Sequence, residues 1–302
     1  MSDTAQTKRA NGRAVPAVKR ITRLMLPHPL YRRYRQWRVS RIVASYPPRL
    51  VTHDYGGQSL HVRLTDPLSE AWYDHDWPRL PEIDELVRVG ALFPGANVFD
   101  IGAHHGVVAL MLAAEVGPSG RLVAVEAEPH NASAAAENVR SNGAENVLVL
   151  SAAIADRPGT LYFAEGLDGH VDSHQTRTGN VEVTAVTIDQ LAEQHGRPDL
   201  VFLDVEGYEG KALLGATETL AARRTAFFVE VHSPWLVDFD CSVEEVLAHF
   251  DGFEMRVALL QENGESVEFV PLARTPSSNH RFNLICVPEN NTGQAEEHAP
   301  TP

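Results

Sequence analysis

Apolar and polar positions along this chain keep changing period, and each change marks an element. Residues 58–64, QSLHVRL, alternate singly, as a half-buried strand does. They follow Gly56-Gly57, so a hairpin with residues near 51–54 is expected. In LPEIDELVRVGAL, residues 80–92, Ile83, Leu86, Val87 and Leu92 fall near helical spacing. Pro81 suits the first turn of that helix, and Pro94-Gly95 ends the pattern. A regular series then begins. Strand 98–101 runs to helix 106–116, and strand 122–126 to a helix near 130–141 that starts behind Pro129. Strand 147–154 follows. After a polar interval, VEVTAVTID (181–189) alternates clearly, and Asp189 is placed to cap the short helix behind it. Strand 200–205 leads to helix 209–222, and strand 226–231 to helix 242–250. FEMRVALL and FNLICV add two strands with no helix between them.

Continuous apolar strands alternating with helices predict an α/β fold, a Rossmann-like parallel sheet covered on both faces. The closing pair, lacking a crossover helix, predicts an antiparallel edge. Four regions are expected: a basic arm (1–50), a hairpin and helix packed on the core (51–95), the main domain (96–287) and a tail (288–302). Residues 1–20 and the tail are polar and aperiodic, so both are expected to be disordered.

Composition narrows the function classes. An apolar content of 43% supports a core, and no apolar run reaches the ~20 residues of a membrane helix. Lys19, Arg20 and Arg23 interrupt the N-terminal apolar patch, so no secretory signal is read. Cys241 and Cys286 make no disulfide framework and are expected to be thiols in the cytoplasm. The net charge of −14 hides an asymmetry: residues 1–50 hold 12 Lys and Arg against one acid, Asp3. A solvated extension with a helix at LYRRYRQWRV is expected, and its charge allows weak contact with an anionic membrane surface. No nucleic acid is expected, because the arm lacks the aromatic spacing of a base-stacking platform.

The chemistry starts at NVFDIGAHHG, residues 97–106. A dinucleotide fingerprint beginning at Gly102 needs glycines where His104 and Val107 stand, and a phosphate loop needs a Lys after Gly106. Both patterns fail, leaving D-x-G-x-x-x-G. A carboxylate at Asp100 repels a pyrophosphate and attracts an ammonium or a sulfonium. S-adenosylmethionine carries both cations and no phosphate. Glu126 ends the next strand, where a carboxylate accepts hydrogen bonds from both ribose hydroxyls. Asp156, past the third strand, is placed for an adenine amine, and Asp204 ends a fourth. Any one such acid is as often a helix cap; in order, at successive strand ends, they describe a ligand site.

These segments resemble the FkbM family of class I S-adenosylmethionine-dependent methyltransferases. The likeness rests on NVFDIGAHHG, VEAEP (125–129), VTAVTIDQL (183–191), LVFLDVEGYEGKALLGA (200–216) and FFVEVH (227–232), with DPLSEAWYDHDW (66–77) as a lead-in. It spans roughly residues 55–287, and D-V-E-G-x-E is its most specific part. One position departs, since the family often has a non-basic residue where His105 stands. The resemblance implies a seven-stranded, mostly parallel sheet with one antiparallel edge strand. It implies methyl transfer to hydroxyls of sugars, glycolipid glycans or secondary metabolites, so the expected partner is a small-molecule or glycan acceptor. It assigns Asp100, Gly102, His104 and Gly106 to the donor loop, Glu126 to the ribose and Asp156 to the adenine.

O-methyl transfer needs an oriented acceptor and a base. Asp204, Glu206, Glu230 and His232 are the candidates opposite the donor loop. His232 has an ordinary pKa of ~6.5, suited to a general base, and ends its strand facing the cleft. Asp204 and Glu206 share a face when extended, able to take a proton or to hold a divalent ion with Glu230. In DGHVDSH (168–174), His170, Asp172 and His174 also share a face when extended, but a solvated loop is expected and no metal is assigned. Trp72, Tyr73 and Trp77 are expected to pack the N-terminal hairpin, with sugar stacking as the alternative. D-V-E-G in place of N-P-P-[YF] disfavours N-methylation. The reading from another class is a catalytically silent binding protein that works through its basic arm.

Overall fold

The computed structural model describes residues 28–164, 167, 170–171, 181–260 and 268–289. Thus the expected disorder of 1–20 and of most of the tail lies outside the described residues. So do Asp172, His174 and the His170 side chain. The basic arm carries a helix at His28–Ser45, with Val39 buried and Trp37 exposed under Arg41.

The chain then forms fourteen strands among the described residues. Strands β1 (Arg49–Tyr55) and β2 (Gln58–Leu64) make the expected hairpin. Its turn, Gly56-Gly57, has φ of 67° and 91°, a left-handed pair that glycine adopts without a Cβ clash. Leu60, Val62 and Leu64 of β2 are buried. The free edge of β2 is closed by a helix: Asn142 and Asn138 accept the His61 and Arg63 backbone N–H groups at 2.8 and 2.7 Å. Helix Pro67–Tyr73 follows, capped by Asp66, and then helix Pro81–Arg88.

The main sheet is built from β3 (Asn97–Ile101), β4 (Arg121–Glu126), β5 (Val147–Ser151), β10 (Leu200–Leu203), β11 (Ala226–Val231), β12 (Phe253–Leu259), β13 (Val270–Pro271) and β14 (Phe282–Pro288). Its order is β13-β12-β14-β11-β10-β3-β4-β5. Strands β5, β4, β3, β10 and β11 are parallel to one another. Strand β14 runs against both β11 and β12, and the two-residue β13 pairs antiparallel at the edge. The sheet is therefore mostly parallel, as expected, with seven longer strands and a short antiparallel border. Alternate residues of β3 and β10 enter two different cores: Val98, Leu200 and Phe202 on one face, Phe99, Val201 and Leu203 on the other. Burial on both faces explains the unbroken apolar runs.

Helix Val107–Val116 crosses from β3 to β4, helix Pro129–Ser141 from β4 to β5, and helices Glu209–Leu214 and Thr217–Ala221 from β10 to β11. Successive crossovers lead away from β3 on one side and from β10 on the other. The strand order thus reverses between β3 and β10, where open α/β sheets admit a ligand at the carboxyl ends.

Three local expectations are corrected. Segment 147–154 is not one strand: β5 ends at Ser151, and β6 (Ala153–Ile154) leaves for a second sheet with β9 (Val181–Val186), β7 (Gly159–Ala164) and β8 (His170–Val171). Both halves are apolar, because each enters a core, so the pattern hides the break. The helix expected over 209–222 is broken at Gly215-Ala216. A Cβ at Gly215 would fall 2.1 Å from the Ala155 carbonyl oxygen, so this backbone approach needs glycine. Finally, Thr187, not Asp189, caps helix Ile188–His195 through a capping box with Gln190. Asp189 caps the neighbouring helix, accepting the Glu218 and Thr219 N–H groups, each at 2.9 Å.

Candidate active site

At the switch point lies a cleft open to solvent. Its lining includes Gly102, His104, Glu126, Asn131, Asp204 and Glu206, over apolar walls from Ile101, Val125, Ile154, Phe163 and Val171. Both sheets contribute, since Phe163 and Val171 come from β7 and β8.

The donor loop is shaped by backbone. Gly102 has φ of 93° and hydrogen-bonds Val125 O through its N–H at 2.9 Å. A Cβ at Gly102 would sit 1.8 Å from the Asp204 carbonyl oxygen, so the two strand ends meet only over glycine. His104 (φ 48°) and Gly106 (φ 76°) finish the left-handed turn into helix Val107–Val116. Glu126 holds this turn: its Oε2 accepts the His104 N–H and its Oε1 the Glu128 N–H, both at 2.8 Å.

Asp100 is buried beneath this floor, and its Oδ2 has no hydrogen-bond partner among the described residues. Burial, then the Glu126 charge, pushes its carboxyl up to about 7. Asn131 Oδ1 also lacks a hydrogen-bond partner among the described residues and belongs to a cleft-lining side chain. Buried acceptors left open this way fit a ligand that brings an ammonium and hydroxyl donors. Neither Asp100 nor Asp156 is among the residues that line the cleft. The Asp156 charge acts on the lining residue Tyr208, whose hydroxyl is pushed up to about 12 first by burial and then by Asp156.

Behind Asp204 and Glu206 of the cleft wall lies His232, buried at 1% exposure. Its Nδ1 lies 2.8 Å from Glu209 Oε1, which also accepts the Gly207 N–H at 3.0 Å. Its Nε2 faces Glu230 Oε1 at 3.4 Å and both Asp204 Oδ1 and Glu206 Oε2 at 3.8 Å. The Trp235 ring stacks on it at 5.1 Å. Burial alone would lower this imidazole. The Glu209 hydrogen bond and the charges of Asp204, Glu209 and Glu230 override that and hold it up at about 10. Asp204 is raised well above the carboxylate range by burial and then by Glu230, with His232 opposing.

The structure thus brings Asp204, Glu206, Glu230 and His232 together, but it places His232 behind the carboxylates instead of on the cleft wall. Asp204 and Glu206 meet through the D-V-E-G turn rather than along a strand. Glu206 (φ 55°) and Gly207 (φ 95°) are both left-handed, and a Cβ on Gly207 would come 2.7 Å from Trp235 Cβ. Glu209 is the residue sequence reasoning missed, although the closing glutamate of D-V-E-G-Y-E marked it. Donor atoms of Asp204, Glu230 and His232 also lie within 4.8 Å of one another, within reach of one divalent ion. The aromatic trio divides: Trp72 lines the cleft, 4.9 Å from His104, while Tyr73 and Trp77 pack against each other and Trp77 against Tyr55.

A family model described as Methyltransferase FkbM domain matches residues 100–267. The chain belongs to the FkbM methyltransferase family. The match spans both ends of the cleft, from Asp100 through the D-V-E-G turn to His232. S-adenosylmethionine is the methyl donor of FkbM enzymes, and the open acceptors on Asp100 and Asn131 fit it. An arsenite methyltransferase of Halobacterium salinarum is 44% identical over 57 residues, which cover 19% of this chain and 15% of that protein. An FkbM methyltransferase structure from Methylobacillus flagellatus KT is 15% identical, with a TM-score of 0.43, covering 64% of this chain and 44% of that one. An O-methyltransferase of tomaymycin synthesis from Streptomyces achromogenes, solved with S-adenosylmethionine, is 15% identical with a TM-score of 0.41, covering 73% and 86%. The chain thus spans under half the length of the first two.

Proposed function

We propose that this FkbM methyltransferase moves a methyl group onto a hydroxyl oxygen of a sugar, glycolipid glycan or secondary metabolite. The observation that supports this most is the raised Asp204 carboxylate, set beside Glu206 on the cleft wall opposite Glu126. When bound, S-adenosylmethionine supplies an activated methyl on its sulfonium, so the protein's work is positioning and proton removal.

Asp100, Gly102, His104 and Glu126 hold and orient the donor at one end. At the other, Asp204 accepts the acceptor's hydroxyl proton. Burial and the Glu230 charge raise its carboxyl well above the carboxylate range, so it binds an accepted proton more tightly than an ordinary carboxylate does. His232, held as a cation by Glu209, keeps the surrounding carboxylates from repelling one another apart. An amine acceptor would need no such base. Trp72, on the cleft wall, offers an aromatic face to a sugar ring.

The test supplies methyl-tritiated S-adenosylmethionine with a panel of hydroxylated glycans and metabolites beside amine analogues, with and without magnesium. Label on oxygen, lost in Asp204→Asn while S-adenosylhomocysteine still binds, supports the reading. Label on the amines alone, or no binding of S-adenosylhomocysteine at millimolar concentration, overturns it.

A further inference from the structure

Behind the donor loop, away from Asp204 and His232, three segments distant in sequence converge. Asp66 leads into helix Pro67–Tyr73, His105 sits in the donor loop, and His130 stands in the first turn of helix Pro129–Ser141. Each offers one ligand atom, and these atoms lie within 4.8 Å of one another. Asp66 Oδ2 is 3.5 Å from His105 Nε2 and 3.3 Å from His130 Nε2. Donor atoms ~2.0–2.1 Å from a tetrahedral zinc ion stand ~3.4 Å apart, so both edges match. Thr65 Oγ1 closes the fourth side, at 2.8, 3.0 and 3.3 Å from His105 Nε2, His130 Nε2 and Asp66 Oδ2.

The surroundings orient these atoms as ligands. Asp66 spends Oδ1 on the Leu68 and Ser69 N–H groups at 2.8 and 2.9 Å, which turns Oδ2 towards the two rings. The His105 ring is oriented by its neighbours. His104 Nε2 faces the Leu167 carbonyl at 3.4 Å, and a carbonyl can only accept, so that nitrogen carries the proton. In the neutral ring His104 Nδ1 is then an acceptor, with the Tyr73 hydroxyl at 2.8 Å and His105 Nδ1 at 2.9 Å as the donors within reach. With its Nδ1 turned to His104, His105 presents Nε2 to Thr65 and the cluster. A histidine fixed through its other nitrogen is the usual arrangement at a metal. His105 and Asp66 are both fully buried, whereas His130 keeps 29% side-chain exposure and supplies a path for entry.

We propose that Asp66, His105 and His130, with Thr65 beside them, bind one divalent transition-metal ion of the zinc class. Two imidazoles, a carboxylate and a hydroxyl suit zinc or cobalt better than magnesium or calcium, which prefer oxygen ligands. The ion joins the end of the N-terminal hairpin, the donor loop and the start of helix Pro129–Ser141.

The test uses tag-free full-length protein, stripped with a chelator and titrated with Co²⁺. The expected result is one Co²⁺ per chain with the visible absorption of a tetrahedral site, displaced by Zn²⁺, and a thermal midpoint raised by metal. His130→Gln should abolish the spectrum, while its midpoint without metal stays within a few degrees of the parent, which shows that it folds. Glu230→Gln, at the other cluster, should leave the spectrum intact. Failure to bind one equivalent at millimolar Co²⁺, a spectrum that survives His130→Gln, or one lost in Glu230→Gln would each overturn the proposal.

Discussion

Buried histidines stand at both ends of the cleft, and they are in opposite states. At the donor end, burial lowers the His104 ring to about 4 and the His105 ring to about 3. At the acceptor end His232 is as deeply buried as His105, yet it is held up at about 10. Desolvation acts on all three rings in the same sense. The difference lies in what surrounds them: His104 and His105 neighbour each other and one carboxylate, Asp66, whereas His232 touches Glu209 and faces Asp204, Glu206 and Glu230. Neighbouring charge, not depth, therefore separates an uncharged imidazole pair from an ionic cluster around His232.

The largest break in this contrast should come from Asp204→Asn. If Asp204 is the base proposed above, removing its charge while keeping its shape should lower kcat by roughly 10³-fold, within the usual range for general bases. S-adenosylhomocysteine affinity, read by calorimetry, should stay within about twofold, because the donor end is untouched. Equal losses in kcat and donor affinity would show that the two ends are not separable.

Glu209→Gln comes next and acts through His232. Both partners of this pair are buried, and breaking such a pair by removing one charge costs ~3 kcal/mol. The pH dependence carries a sign. His232's folded pKa, about 10, lies above its ordinary ~6.5, so its contribution to stability is full below ~6.5 and is lost as pH rises through 10. Urea unfolding should show the variant's deficit greatest near pH 6 and shrinking towards pH 10. A deficit independent of pH would mean that Glu209 acts by packing alone.

Glu126→Gln should affect only the donor end. One charge-assisted acceptor is lost, so S-adenosylhomocysteine binding should weaken by roughly 10-fold. At saturating donor, kcat should be nearly unchanged. A fall in kcat with unchanged affinity would move Glu126 out of the donor site.

Much of this arrangement is legible in the chain, and the illegible parts share a cause. Strands β3, β4, β10 and β11 announce themselves because burial on both faces demands unbroken apolar runs. Asp100, Glu126 and Asp204 stand out because a charge at the end of such a run has to have a use. What stays hidden depends on contacts between elements. The break at Ala152 divides one apolar run between two sheets, which no local pattern records. Asp189 caps a helix 28 residues further on, since its own helix is already capped by Thr187. His105 reads as a departure in a loop until Asp66 and His130 arrive beside it from other elements. His232 reads as a free base until Glu209, 23 residues earlier, claims its Nδ1.

Asp156 gives the smallest expected effect and the sharpest check on that lesson. By position it belongs with Glu126, an acid just past the end of a parallel strand. In the structure the chain has already left the main sheet at Ala152, so Asp156 follows β6 and is not among the residues that line the cleft, although its charge acts on the lining residue Tyr208. Asp156→Ala should therefore change S-adenosylhomocysteine affinity by less than about twofold, since a group without ligand contact contributes only a screened long-range charge. A loss near the 10-fold expected for Glu126→Gln would show that the second sheet swings over the cleft when the donor binds, bringing Asp156 to the adenine after all.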